Sequence, residues 1–95
     1  MYLEIVTPEA VVFSAEVEAV KVPGHDGEFQ MLNNHAPIVS TLTKGEVKIN
    51  LVAGTSPEKL HKTIRKSSSD AKELFYEIDG GVLELKDNKA IILAD

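Results

Sequence analysis

Cysteine is absent from this 95-residue chain, which removes disulfide bonds and thiolate zinc sites from consideration. Tryptophan is absent too, and aromatic residues make up only 5%. That is too little for the aromatic platform expected of a sandwich module that binds glycans or peptides. Positive charge is scarce: 10 Lys and Arg stand against 15 Asp and Glu, for a net charge of −5 and a pI near 5.1. Nucleic acid is therefore not an expected partner, because it requires a basic footprint. No apolar run approaches the roughly 20 residues that cross a bilayer. Met1-Tyr2-Leu3-Glu4 has neither the basic region nor the long apolar stretch of a signal peptide. The expectation is a soluble domain that meets a membrane only through a partner.

What is present is ordinary in amount and informative in order. Apolar residues are 43% and charged residues 26%, as in globular domains generally. A chain of this length makes one domain, residues 1–95, and buries about 60–65% of its unfolded surface around one modest core. Tyr2 to Thr7 alternates as a half-buried strand does. Val11-Val12-Phe13 follows the Thr7-Pro8-Glu9 turn, and Ser14-Ala15 reads as a break before a strand over Glu16 to Val22. Parity shifts inside that strand, with Val17 and Ala19 on one face but Val20 and Val22 on the other, which predicts a bulge. Further strands are expected at Ile38–Leu42, Glu46–Val52, Leu74–Asp79, Val82–Lys86 and Lys89–Leu93, with Gly80-Gly81 at a corner and Asp87-Asn88 in a hairpin turn. About eight to ten short strands at this spacing imply an all-β, two-sheet antiparallel sandwich.

Residues 53–72 differ in composition. Ser56-Pro57-Glu58 reads as a helix start, with Leu60 and Ile64 four apart on one face, so a short helix is expected near residues 57–65. Lys66-Ser67-Ser68-Ser69-Asp70 reads as solvated loop.

The most specific stretch is Val22 to Leu42. Pro23-Gly24 ends a strand, His25-Asp26-Gly27 turns, Glu28 to Leu32 runs back, and Asn33-Asn34 turns again. Two turns this close predict a rigid knuckle showing Asp26, Glu28, Asn33, Asn34 and His35 along one rim. Phe29, Met31 and Leu32 cannot all face one core, so an apolar contact patch rimmed by Glu28, Asn33 and Asn34 competes with simple partial exposure. Chemistry is harder to find. His25 and His35 flank Asp26 and Glu28, but nothing in a hairpin makes ligands converge on a metal. Gly24-His25-Asp26-Gly27 has the spacing of an RNA-clamping loop without the helices and basic groove that loop needs. Gly54-Thr55-Ser56 lacks the glycine-lysine end of a phosphate-binding loop. Ser67 to Ser69 have no histidine placed to activate them, and His61 reads as an exposed polar residue. No catalytic residue, metal ligand or cofactor is assigned, and a small hydrolase is disfavoured.

The knuckle resembles a family signature: proline-glycine, a short turn, Gly27-Glu28-Phe29, then His35-Ala36-Pro37 before two apolar residues. The β-sandwich of the epsilon subunit of F-type ATP synthases, the delta subunit in mitochondria, carries a similar pattern. Leu3 to Glu9 with Val12-Phe13, Lys44 to Ile49, Gly80 to Leu85 and Ala90 to Asp95 resemble its other strands in order. The likeness covers residues 2–50 and 73–95, so 53–72 is read as an insertion.

That resemblance implies a non-catalytic rotor subunit of the central stalk, gripping the gamma subunit and the membrane c-ring so that ion flow is coupled to ATP synthesis. It places the chain peripherally at the cytoplasmic face of the inner (plasma) membrane. Carried over by position, Gly27, Glu28, Phe29, Gln30, Asn33 and Asn34 correspond to the c-ring interface, and Thr7, His35 and Ser40 to the gamma interface. Gln30 departs from the usual glycine, and Asn33-Asn34 replaces proline-glycine. Many members of that family continue into a helical hairpin that can bind ATP and act as a brake. The sequence departs from them in stopping at Asp95, and if that is the natural terminus, no ATP binding or inhibition by that route is expected. A free-standing protein- or glycan-binding sandwich is the rival reading.

Overall fold

The computed structural model describes residues 1–55 and 60–95. Nine strands follow in order: β1 (Tyr2–Val6), β2 (Val11–Gly24), β3 (Gly27–Leu32), β4 (Ile38–Leu42), β5 (Gly45–Leu51), β6 (Arg65–Lys66), β7 (Glu73–Ile78), β8 (Gly81–Lys86) and β9 (Lys89–Ala94). The organising element is β2, 14 residues long. Its first half pairs with β1, its middle with β5, and its second half with β3. One sheet therefore reads β2–β1–β9–β8–β4 and the other β3–β2–β5–β7–β6, with β2 common to both. Gly24, the last residue of β2, pairs with Leu42 at the end of β4 and closes the seam.

Alternation places the core between these sheets. Leu3, Ile5, Val20, Val22, Val47, Ile49, Leu83, Leu85 and Ile92 are all fully buried, and one apolar cluster unites them. The bulge expected in β2 is present: its register against β5 shifts between Val17 and Ala19. That shift lets Val17, Val20 and Val22 all turn inward despite their mixed parity. The Asp87-Asn88 hairpin is also present, with φ of 52° and 59°, the left-handed pair that a two-residue turn between twisted strands favours.

Three expectations need correction. The break at Ser14-Ala15 does not occur, because both residues are ladder positions of β2, opposite Glu4 and Leu3. Ser14 simply faces out, where its hydroxyl meets Tyr2 Oη. The pairing is not wholly antiparallel, since β1 runs parallel to β9. Of the expected helix, residues 57–59 lie outside the described residues, and from Leu60 onward there is no helix. Ile64 N–H instead donates to His61 C=O at 3.0 Å, and Arg65-Lys66 adds to the edge of β7 as β6. Burial of Ile64 and a new ladder outweigh a weak helical preference. Residues 67–70 form the solvated loop expected there, with Ser67 Oγ accepting from the N–H groups of Ser69 and Asp70, both at 3.2 Å, while Lys66 belongs to β6.

Candidate interaction surface

The β2–β3 hairpin carries most of the residues singled out by sequence. Its turn is His25-Asp26, and Gly27 takes a φ of 124° that a side chain would resist. His25 N–H donates to Thr41 C=O at 3.0 Å and Thr43 N–H to Pro23 C=O at 2.9 Å, which ties the tip to the end of β4. Phe29 stiffens the arm from within: a Cβ at Gly24 would lie 2.7 Å from its ring, so only glycine admits this packing. Met31 is fully buried, while Leu32 on the opposite side is 57% exposed. Glu28 stands exposed near the tip, its carboxylate 3.8 Å from Lys21 Nζ.

The single rim does not form. Six residues of β3 separate the two turns, a distance of about 20 Å at the usual rise. At the far end, Asn34 N–H donates to Asn88 Oδ1 at 2.8 Å, and Asn33 Oδ1 accepts from the α-amine of Met1. Asn33 and Asn34 are thus tied to the start of β1 and the β8–β9 turn, away from Gly27 and Glu28. His35 follows them, its N–H donating to Leu32 C=O at 3.2 Å. Thr7 holds the β1–β2 turn through Ala10, and Ser40 Oγ donates to Thr41 C=O at 3.0 Å. His25 and His35 sit at opposite ends of the arm. Among the described residues no three metal-ligating side chains converge.

Cross-strand register exposes a feature that sequence reading missed. On the outer face of the β9 sheet, Val11, Val6, Leu93 and Val82 are successive partners across β2, β1, β9 and β8. Three of them are well exposed: Val11 56%, Leu93 54% and Val82 40%. The next row reads Ser14, Glu4, Ile91, Glu84 and Val39, and Val39 is 71% exposed.

The outer face of the β5 sheet is different. There the row is Arg65, Phe75, Lys48, Lys21 and Gln30. Lys48 Nζ lies 3.0 Å from Glu73, Lys21 pairs with Glu28, and Arg65 pairs with Glu46 while stacking 5.3 Å from the Phe75 centroid. Glu46 faces Glu77 directly across the ladder, so Arg65 relieves a like-charge pair. Among the described residues no free aromatic platform remains, since Phe75 lies under Arg65, Tyr2 under Lys89 at 5.8 Å, and Phe29 against the core.

The fold and these surfaces are those of a small β-sandwich whose singled-out residues lie in turns and on outer faces. Residues 1–63 match the family model described as the ATP synthase delta/epsilon chain, beta-sandwich domain. The chain is similar to the ATP synthase epsilon chain of Chlorobium limicola, 38% identical over 93 residues, covering 98% of this chain and 86% of that one. It is similar also to the epsilon chain of Campylobacter hominis, 35% identical over 95 residues, of which it spans 61%. Two solved structures share the fold. One, from the central stalk and c-ring of Tetrahymena thermophila mitochondrial ATP synthase, has a TM-score of 0.66 and 12% identity over 98% of this chain and 61% of its own. The other, from the Euglena gracilis mitochondrial enzyme, has a TM-score of 0.70 and 19% identity over 97% and 48%. The chain belongs to the delta/epsilon family of ATP synthase subunits. As such it is a structural or regulatory chain and not an enzyme in its own right.

Proposed function

We propose that this chain is a rotor subunit that joins the gamma subunit to the c-ring, so that ion-driven rotation of the ring is coupled to ATP synthesis in the catalytic head. In this reading it rides at the cytoplasmic face of the inner (plasma) membrane and touches the bilayer only through the complex. Gly27, Glu28, Phe29 and Gln30 meet the ring loops, with Asn33 and Asn34 fixing the far end of the same arm. Thr7, His35 and Ser40 border the gamma subunit.

The observation that carries this reading is the continuity of β2. A single strand runs from Val11 in one sheet to Gly24 in the other and ends on the hairpin tip beside Glu28. Force applied at the tip passes along covalent bonds into both sheets, and a close-packed core transmits it with little give. The exposed carboxylate of Glu28 is suited to accept charge-assisted hydrogen bonds from arginine or amide groups of ring loops.

Gel filtration with the gamma subunit from the same source tests the first contact. Co-elution as a one-to-one complex is the expected result, and separate elution at low and moderate salt would overturn it. Glu28→Lys tests the second contact, because it should lower ATP-driven ion pumping by the assembled enzyme while leaving co-elution with gamma intact.

A further inference from the structure

We infer that residues 60–72 and the pocket beneath them are a docking site for an acidic segment of a neighbouring ATP synthase subunit. That segment places an aliphatic side chain in the pocket and carboxylates at its rim. The inference rests on the reading of this chain as a stalk subunit with its hairpin tip on the ring, and adds a second surface at the other end. The pocket holds about 250 Å³. Leu51 and Leu74, both core residues, line it together with Leu60, which packs against the same cluster. Lys66 and Ser67 supply polar groups to the lining. Small-molecule sites run to roughly 300–1,000 Å³, so one aliphatic side chain suits this pocket better than a cofactor does. Strand β5 begins at Gly45 beside Pro23 and ends at Leu51 in the pocket, about 20 Å further on at the usual rise. The site is therefore at the end of the sandwich away from the hairpin tip.

Charge specifies the occupant. Residues 60–72 carry Lys62, Arg65, Lys66 and Lys72 against Asp70 alone, although the whole chain has 15 Asp and Glu to 10 Lys and Arg. The nearby carboxylates are spoken for. Glu46 holds Arg65 and faces Glu77 across the ladder, Glu73 lies 3.0 Å from Lys48, and Asp70 Oδ1 accepts from the Lys72 N–H at 2.9 Å. Lys62, Lys66 and Lys72 are exposed, and none forms an ion pair among the described residues. Lys66 lines the pocket itself, while Lys62 and Lys72 stand within two residues of Leu60 and Ala71, which line it too. Cations gathered round an apolar pocket call for carboxylates on whatever fills it. A lipid surface is a poorer fit, because the end of the sandwich that approaches the ring is the opposite one.

The absence of cysteine makes the test direct. Ala71 is exposed at the pocket, so Ala71→Cys reports on its mouth. Maleimide labelling rates are compared for the free chain, for the chain in the purified ATP synthase complex, and for the free chain with phosphatidylglycerol vesicles. The expected result is labelling slowed about tenfold or more in the complex alone. Adding Lys62→Glu and Lys66→Glu should return the rate in the complex to within about twofold of the free chain, and adding Lys44→Glu at the tip end should not. A complex that contains the chain but labels residue 71 at the free rate overturns the docking site and leaves the stalk reading standing. A complex from which the unmodified chain is missing overturns both. Protection that survives reversal of both lysines overturns the acidic occupant. Labelling of the free chain already tenfold slower than in urea means that the pocket is filled from within the chain, and overturns the site as well. Equal protection by vesicles alone replaces the protein neighbour with a membrane.

Discussion

Lys21, Lys48 and Arg65 on one outer face each reach a carboxylate of the same face, while Val11, Leu93 and Val82 on the other reach nothing comparable. Both faces arise from strict alternation over a common core, so neither is required by folding more than the other. The first is largely satisfied in water: Lys21, Lys48 and Arg65 each have a carboxylate and Phe75 is covered by Arg65, with Leu32 on β3 its one large exposed apolar residue among the described strands, so a partner would have to break those pairs to gain much. The second is incomplete, because its apolar row gains free energy only when something covers it. Two faces of one sandwich thus differ in how much apolar surface each leaves to water.

The strongest way to break this contrast is to charge the apolar row. Leu93→Glu should weaken binding to the stalk neighbour by roughly 3 kcal/mol, a hundredfold or more, as loss of a central hot spot does. Because Leu93 is half exposed already, urea unfolding of the isolated variant should stay within about 0.5 kcal/mol of the parent. An equal loss of both would show that the residue serves the fold instead.

A smaller effect tests how that row is held. Gly81 has a φ of 155°, and a Cβ there would stand 2.2 Å from the Leu93 carbonyl oxygen. Gly81→Ala should therefore destabilise the chain by about 2–3 kcal/mol in urea melts, through backbone strain and the shifted β8–β9 ladder. Retention of parental stability would mean that the corner relaxes without cost.

On the charged face the expected effects shrink, as exposed pairs require. Arg65→Ala removes one ion pair and one cation–π contact and leaves Glu46 opposite Glu77, for a loss of about 1 kcal/mol. Adding Glu46→Gln should recover part of that loss, and high salt should shrink the difference. Smallest of all is a pH effect beneath this face. Burial, followed by the charge of Glu9, raises the Tyr76 phenol above its ordinary 10.0. The folded state therefore holds that proton more tightly than the unfolded state. The stabilisation is fully present below pH 10 and is lost as pH rises through the higher folded value. Tyr76→Phe should flatten that alkaline decline in thermal melts between pH 9 and about 11.5, and an unchanged slope would assign it to other groups.

Much of this architecture was legible in the sequence. Alternation located the strands, parity located the bulge in β2, and Asp87-Asn88 located the last hairpin. Each of these signals is local. The apolar row was not legible, because Val6, Val11, Val82 and Leu93 become neighbours only through register. Alternation says that a side chain faces out, but not what stands beside it on the next strand. The parallel pairing of β1 with β9 was hidden for the same reason. Ser14-Ala15 misled in the opposite direction, since small polar residues at outward ladder positions look like a break. In the β2–β3 arm, the residues and both turns were found from sequence. The separation of the turns was not, because β3 extends fully and places Asn33-Asn34 against Asn88.

The parallel alignment of β1 with β9 has a kinetic consequence. Tyr2–Val6 lies between β2 and Lys89–Ala94, so β1 must wait for a strand more than 80 residues further along the chain before its second edge is paired. Until then Leu3 and Ile5 lack one wall of their eventual surroundings, and the early chain can form only part of the β9 sheet. Contacts of such long sequence separation slow folding. The waiting edge of β1 is also where a nascent chain would be most open to the wrong strand, which makes timely arrival of β9 part of how this sandwich reaches its fold.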